Sequence, residues 1–134
     1  MKVRAFLCSE NALIDKRTNL ISLINIIESL GGVGLPFGVP RLVISSIFEK
    51  EKGDSDKFQF SIIIKINDDV LHKQDVKADF KGKNINRSFL ELVGVSIPSL
   101  GDLILELKLQ KESRQYIIKV ENIQTKIQTQ KSSS

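Results

Sequence analysis

Residues 57–67, KFQFSIIIKIN, decide the fold class of this 134-residue chain. Polar residues such as Lys57, Gln59 and Ser61 alternate there with apolar ones, and Ile63 is the exception. Successive side chains of a β-strand point to opposite faces, so this alternation is what a strand with one buried face requires. We therefore predict a long, half-buried strand whose inward residues are Phe58, Phe60, Ile62, Ile64 and Ile66.

The same kind of apolar pattern recurs in residues 41–48, 70–82, 103–110 and 116–123. Turn sequences rich in Gly, Asp, Asn and Ser separate the segments at intervals of about ten residues, which is typical of antiparallel sandwiches and barrels. In residues 70–82 one face alternates lysine with aspartate, which predicts a strand at or near a sheet edge. We predict an all-β fold: a single antiparallel β-sandwich of immunoglobulin-like or related topology with seven to eight strands. This domain covers residues 1–123, and a polar, flexible tail covers residues 124–134.

Residues 19–40, NLISLINIIESLGGVGLPFGVP, allow two interpretations. Leu20, Leu23 and Ile24 follow helical spacing, and Thr18 or Asn19 is a suitable helix cap. However, the segment is rich in isoleucine, which favours strands, and the other segments are strands. We predict a strand, apolar on both faces and central in the sandwich, followed by a loop over residues 31–40. The helix stays open as the alternative.

Predicted strands and turns follow one another in a characteristic order in three segments of the chain: residues 5–30, residues 41–68 and residues 97–109. This order resembles a family of small, uncharacterised bacterial β-sandwich proteins known as a domain of unknown function. The resemblance implies a second strand that follows an Asp-containing turn, a Pro-containing loop and a last hairpin entered by glycine. The matching landmarks are Asp15, Pro36, Pro40 and Gly101. Asp102 and Leu103 stand where such hairpins often carry an aromatic residue, and the resemblance brings no activity with it.

Composition restricts the compartment and the partners. Cys8 is the only cysteine, so no disulfide forms within the chain, and we expect a reducing, cytoplasmic setting. No apolar run reaches the length of about 18 residues that a membrane span needs, and Arg4, Glu10 and Asn11 interrupt the N-terminal segment, so we expect neither a span nor a secretory leader. The formal net charge is +4, and the basic excess lies in the C-terminal half. That excess is compatible with an acidic or nucleic-acid partner.

Residues suited to catalysis are few. The chain has one histidine, His72, and one cysteine, Cys8, and no known sequence signature surrounds either of them. It has no paired Cys or His spacing of a zinc site and no phosphate-binding Gly-Lys-Ser/Thr sequence. We therefore predict a protein that is not an enzyme and that has no cofactor and no metal. A dyad of Cys8 and His72 stays open.

Two surface features suggest how such a protein acts. The first is a candidate interaction loop with the residues Val33, Leu35, Pro36 and Phe37, whose apolar side chains either plug the sandwich or dock a partner. Our leading hypothesis is a non-catalytic interaction or accessory module of the bacterial cytoplasm. It would bind a partner protein or a second copy of itself through this loop or through an edge strand.

The second feature is a candidate basic patch with the residues Lys77, Lys81, Lys83 and Arg87. Phe80 lies among them but is in phase with the inward face of its strand. The alternative hypothesis is a weak binding module for nucleic acid or another acidic ligand that uses this patch.

Overall fold

The all-β prediction is confirmed. The computed structural model describes residues 1–122, and these form nine β-strands and no helix. The predicted count of seven to eight strands is wrong, because the ambiguous residues 19–40 supply two short strands and the start of a third. The predicted tail, residues 124–134, lies outside the described residues. The strands are β1 (Lys2–Ile14), β2 (Ile21–Ile26), β3 (Ser29–Gly32), β4 (Phe37–Glu49), β5 (Lys57–Ile66), β6 (Asp69–Asp79), β7 (Ile85–Ile97), β8 (Gly101–Lys108) and β9 (Ser113–Asn122).

The strands form two sheets. One has the order β2-β1-β4-β7, and the other has the order β3-β9-β8-β5-β6. The purely antiparallel prediction is wrong at one position, because β3 pairs with β9 in parallel. The parallel pair arises because the chain changes sheets between β2 and β3. Ile27 lies at this crossing: its amide donates to the Cys8 carbonyl at 2.9 Å, and its own carbonyl accepts the Tyr116 hydroxyl at 2.8 Å.

One of the two sheets is a curled half-barrel, and the two edges of the four-stranded sheet approach each other. β1 pairs with β4 only as far as Ser9 opposite Val43, and beyond that point it pairs with β2 alone. The hairpin of β1 and β2 therefore bends away from β4. Its turn residue Asn19 accepts a hydrogen bond from Arg87 on β7, at 3.2 Å, although β2 and β7 are opposite edges of this sheet. This bond links the two edges.

Buried side chains of both sheets form one apolar cluster. In the five-stranded sheet, β5 and β8 place isoleucine opposite leucine, and the predicted inward face of β5 is buried from Phe60 to Ile66. β4 contributes from the other sheet, where the Phe48 ring lies 4.8 Å from the Phe60 ring and 5.1 Å from the Phe58 ring, centroid to centroid. The main members of the cluster are Phe6, Cys8, Leu42, Ile44, Phe48, Phe60, Ile62, Ile64, Ile66, Leu103, Leu105, Leu107 and Ile118.

Residues 20–30 are extended, as predicted, but they form parts of two strands and not one, and the predicted central position is wrong. β2 and β3 are edge strands of different sheets. Leu20, Ile24 and Ile26 are exposed, whereas Ile27 is buried. An edge strand has only one neighbouring strand whose side chains can shield its own. Its apolar residues that do not face the core therefore stay in contact with water.

Two neighbouring isoleucines on β9 test the division between core and surface. Ile118 is fully buried, whereas Ile117 is 46% exposed on the opposite face. We expect Ile118→Ala to lower the free energy of unfolding by about 2–5 kcal/mol, because it leaves a cavity. We expect Ile117→Ala to change it by no more than about 0.5 kcal/mol. Urea denaturation measures both values, and equal losses would contradict this assignment of faces.

Candidate functional site

The predicted interaction loop is shorter than expected, and its residues point in different directions. Gly31 and Gly32 belong to β3 and Phe37 begins β4, so only residues 33–36 connect the strands. Val33 is 68% exposed and Leu35 is 47% exposed.

Phe37, in contrast, packs against the core cluster, and its ring lies directly over Gly32, where the structure leaves no room for a Cβ atom. The prediction that residues 31–40 form one loop is therefore wrong, because close packing of Phe37 on Gly32 fixes both ends. The surface that remains for a partner consists of Val33, Leu35 and Pro36.

All four residues of the predicted basic patch line one cleft of about 1490 Å³. The cleft lies beside the turn that joins β6 to β7, the edge strands of the two sheets. Two further basic residues, Arg4 on β1 and Lys57 on β5, line the same cleft. Asp79 is the one acidic residue of the lining. We call this site the basic cleft.

Asp56 holds the β6–β7 turn in position. Its carboxylate pairs with Lys50 and accepts the Gly82 amide at 2.9 Å, while its carbonyl accepts the Phe80 amide at 2.9 Å. Lys81 and Gly82 both have positive φ, 53° and 76°, which gives a tight turn. Asp79 caps the turn by accepting the Lys81 amide at 2.8 Å. The turn that carries Lys81 and Lys83 is therefore tied to the β4–β5 connection.

Within the described residues 1–122, no basic side chain of the cleft lies within ion-pair distance of a carboxylate. Arg87 is the most enclosed of the six and donates to Asn19. Elsewhere on the surface, cations do have partners, as in Arg41 with Glu91 at 3.1 Å and Lys119 with Asp102 at 2.7 Å. The basic cleft therefore concentrates positive charge that its own neighbours do not neutralise.

Sequence reasoning missed Arg4 and Lys57 because strand register brings them to the cleft. Lys57 lies opposite Asp79, and Gln59 opposite Lys77, in the β5–β6 pair. The β1–β4 register shifts between Val3 and Ala5, at Arg4. The alternation in residues 57–67 did indicate that Lys57 faces outward. No local signal in the sequence indicates which strands lie beside it.

A second surface lies on the β1–β2 hairpin. Its exposed aliphatic residues are Leu13, Ile14, Leu20, Ile24 and Ile26, of which Leu20 is 66% exposed. Ser22 and Asn25 are exposed between them, and no residue from Ile21 to Ile26 is charged. The sequence analysis does not predict this surface, because it places these residues in a central strand, where neighbouring strands would cover them.

Cys8 lies in the apolar core, and His72 contacts a polar side chain of its own strand. Cys8 is fully enclosed in the core cluster, and burial raises the pKa of its thiol to about 12, so the thiol stays protonated at neutral pH. His72 Nε2 lies 3.0 Å from the side-chain oxygen of Gln74. In residues 1–122, no three His, Cys, Asp or Glu side chains are grouped to hold a metal ion. The same residues include no helix able to cross a membrane.

Comparison of the chain with protein-family models, curated proteins and solved structures found no match. The family resemblance described above therefore stays a prediction.

The Lys50–Asp56 pair gives a pH-dependent test of the turn. The Lys50 ammonium, followed by the Gly82 amide, holds the pKa of Asp56 below its ordinary value. Because the pKa of Asp56 is lower in the folded protein, the pair contributes its full stabilisation at pH values above the ordinary carboxyl pKa of about 3.9. This stabilisation is lost as the pH falls through the lower pKa of the folded protein. We expect Lys50→Met to raise the pKa of Asp56 toward its ordinary value, measured by NMR titration of the carboxyl carbon.

Lys65→Met is the matched control, because Lys65 pairs with Glu106 at 3.0 Å and not with Asp56. It should leave the Asp56 titration unchanged. An Asp56 carboxyl that titrates at the same pH with and without Lys50 would contradict the role assigned to this pair.

Proposed function

We propose that this protein is a non-catalytic interaction module that associates by strand addition at β2, and that its occupant there is a second copy of the chain. Strand addition joins two sheets through backbone hydrogen bonds, and side chains on alternate positions provide selectivity. The observation that carries the proposal is the composition of β2, an edge strand with exposed aliphatic residues and no charge.

The other edge strands differ from β2 in this respect. Proteins protect their sheet edges with charges, bulges or short strands. β6 carries Lys73, Asp75, Lys77 and Asp79. β7 carries Arg87 and Glu91 and turns at Gly94, where φ is 70°. β3 is only four residues long. Among the described strands, β2 is therefore the edge with the least protection against pairing.

Self-pairing is favoured because β2 has no charge to oppose its own copy. Two copies related by a twofold axis meet in antiparallel orientation, with the same strand facing itself. Like charges directly opposite each other would destabilise that pairing, and Ile21–Ile26 has none. Asn25 has φ 56°, which bends the end of the strand. The paired segment is therefore centred on residues 21–24.

We infer that the two sheets face each other as a β-sandwich of immunoglobulin-like or related topology, an inference supported by the single core cluster that both contribute to. We also infer an accessory protein of the bacterial cytoplasm. The enclosed Cys8 supports the non-catalytic reading, because a protonated, buried thiol is a poor nucleophile.

Charge placed on β2 should separate the copies. We expect the wild-type chain to form dimers whose fraction rises with concentration in sedimentation velocity. We expect Ile24→Lys to weaken dimerisation at least about tenfold, since each added charge then lies within the paired segment opposite the apolar Ile21 of the other copy, and this corresponds to about 1.4 kcal/mol. Circular dichroism should show an unchanged fold, because Ile24 is an exposed side chain.

Ile117→Lys is the matched control, because it adds the same charge at an exposed isoleucine on β9, which is not an edge strand. It should leave the dimer intact, and so should Leu35→Asp in the short loop. Dissociation by Leu35→Asp alone would place the interface in the loop. A wild-type chain that stays monomeric at millimolar concentration would overturn the proposal.

A further inference from the structure

The basic cleft is a second candidate binding site, and its cationic side chains all lie outside β2, although Ile21 of β2 also lines the cleft. Its lining has six cationic side chains against one carboxylate, a local charge of +5, whereas the whole chain carries +4. All other residues together therefore carry −1. The basic excess that the sequence spreads over its C-terminal half is concentrated in one concave site. Such a site raises the local concentration of anionic ligands and steers them inward.

The size of the cleft favours an extended ligand. Small-molecule sites usually have volumes of about 300–1000 Å³, and this cleft reaches about 1490 Å³. Its cations come from three separate parts of the chain: β1, β5, and residues 77–87, which run from β6 through the turn into β7. A ligand with several anionic groups along its length can contact them together, whereas a single phosphate cannot.

The uncharged residues of the cleft lining favour nucleic acid over other polyanions as the ligand. Apolar side chains, among them Ile47, Phe58 and Ala78, line the same cleft as the cations. The Phe58 ring is half-buried and is held by Phe48 at 5.1 Å and Phe80 at 4.9 Å. Amide side chains such as Gln59 and Asn84 also line the cleft. Apolar surface accepts the faces of bases, and amides form hydrogen bonds with base edges.

We propose that the basic cleft binds single-stranded nucleic acid, with phosphates at the six cationic side chains and bases against the apolar and amide lining. A duplex keeps its bases stacked inside and would use the cations alone. An acidic peptide would likewise pair with the cations but would bring no aromatic faces to the lining. The single strand is the ligand that uses every part of the cleft.

Fluorescence anisotropy with a labelled 12-nucleotide oligo-dT tests the proposal on the full chain. We expect binding at low salt, and the logarithm of the affinity should fall against the logarithm of salt concentration with a slope between about −2 and −4, because each neutralised phosphate of a single strand contributes about −0.7. The double variant Lys81→Glu, Lys83→Glu should weaken binding at least tenfold.

The matched control is the double variant Lys73→Glu, Lys111→Glu, which changes the net charge equally at exposed lysines outside the cleft lining. It should bind within about twofold of the wild type, and circular dichroism should show both variants folded. Equal weakening by both double variants would overturn the cleft as the site. No binding at low salt, or equal or tighter binding of a duplex or of a glutamate peptide of the same length, would overturn the assignment of the ligand. The two proposals fail separately, because Lys81 and Lys83 lie outside β2 and Ile24 lies outside the cleft lining.

Discussion

The pairing of β5 with β8 is the constraint on which the rest of the structure depends. It places Ile62, Ile64 and Ile66 opposite Leu107, Leu105 and Leu103, and all six side chains are fully or almost fully buried. A shift of register by one residue would turn one of these rows toward water. The large apolar area that the two rows bury makes such a shift costly. β9 and β6 then add on either side, and β4 supplies Phe48 from the other sheet.

The candidate surfaces arise where this common core ends. β1 leaves β4 after Ser9, and the β1–β2 hairpin then carries aliphatic residues that no strand covers. At the other edge, β6 and β7 belong to different sheets, and the turn between them carries Lys81 and Lys83 beside a cleft. Asp56 ties this turn to the β4–β5 connection. Both surfaces thus consist of segments that the core positions but does not cover.

Local pattern in the sequence was sufficient where one face of a strand is buried. The alternation in residues 57–67 and 103–109 identified the inward residues of β5 and β8 directly. It failed for β2, because the position of a strand within a sheet depends on its neighbours, and isoleucine on both faces fits the edge of a sheet as well as its centre. The same limit applies to the cleft: Lys77, Lys81, Lys83 and Arg87 are close in sequence and were predicted together. Arg4 and Lys57 join them only through the register of β1 and β5.

The central claim is that the core around β5 and β8 holds β2 in place as an edge strand that is free to pair with a second copy. Residue-resolved hydrogen exchange, measured in dilute and in concentrated solution, tests this claim most directly. The hydrogen-bonded amides of β5 and β8 should exchange slowest at both concentrations. The β2 amides directed away from β1 should exchange rapidly in dilute solution and slowly in concentrated solution. Rapid exchange in β5, or β2 amides that are equally protected at both concentrations, would show that this claim is wrong.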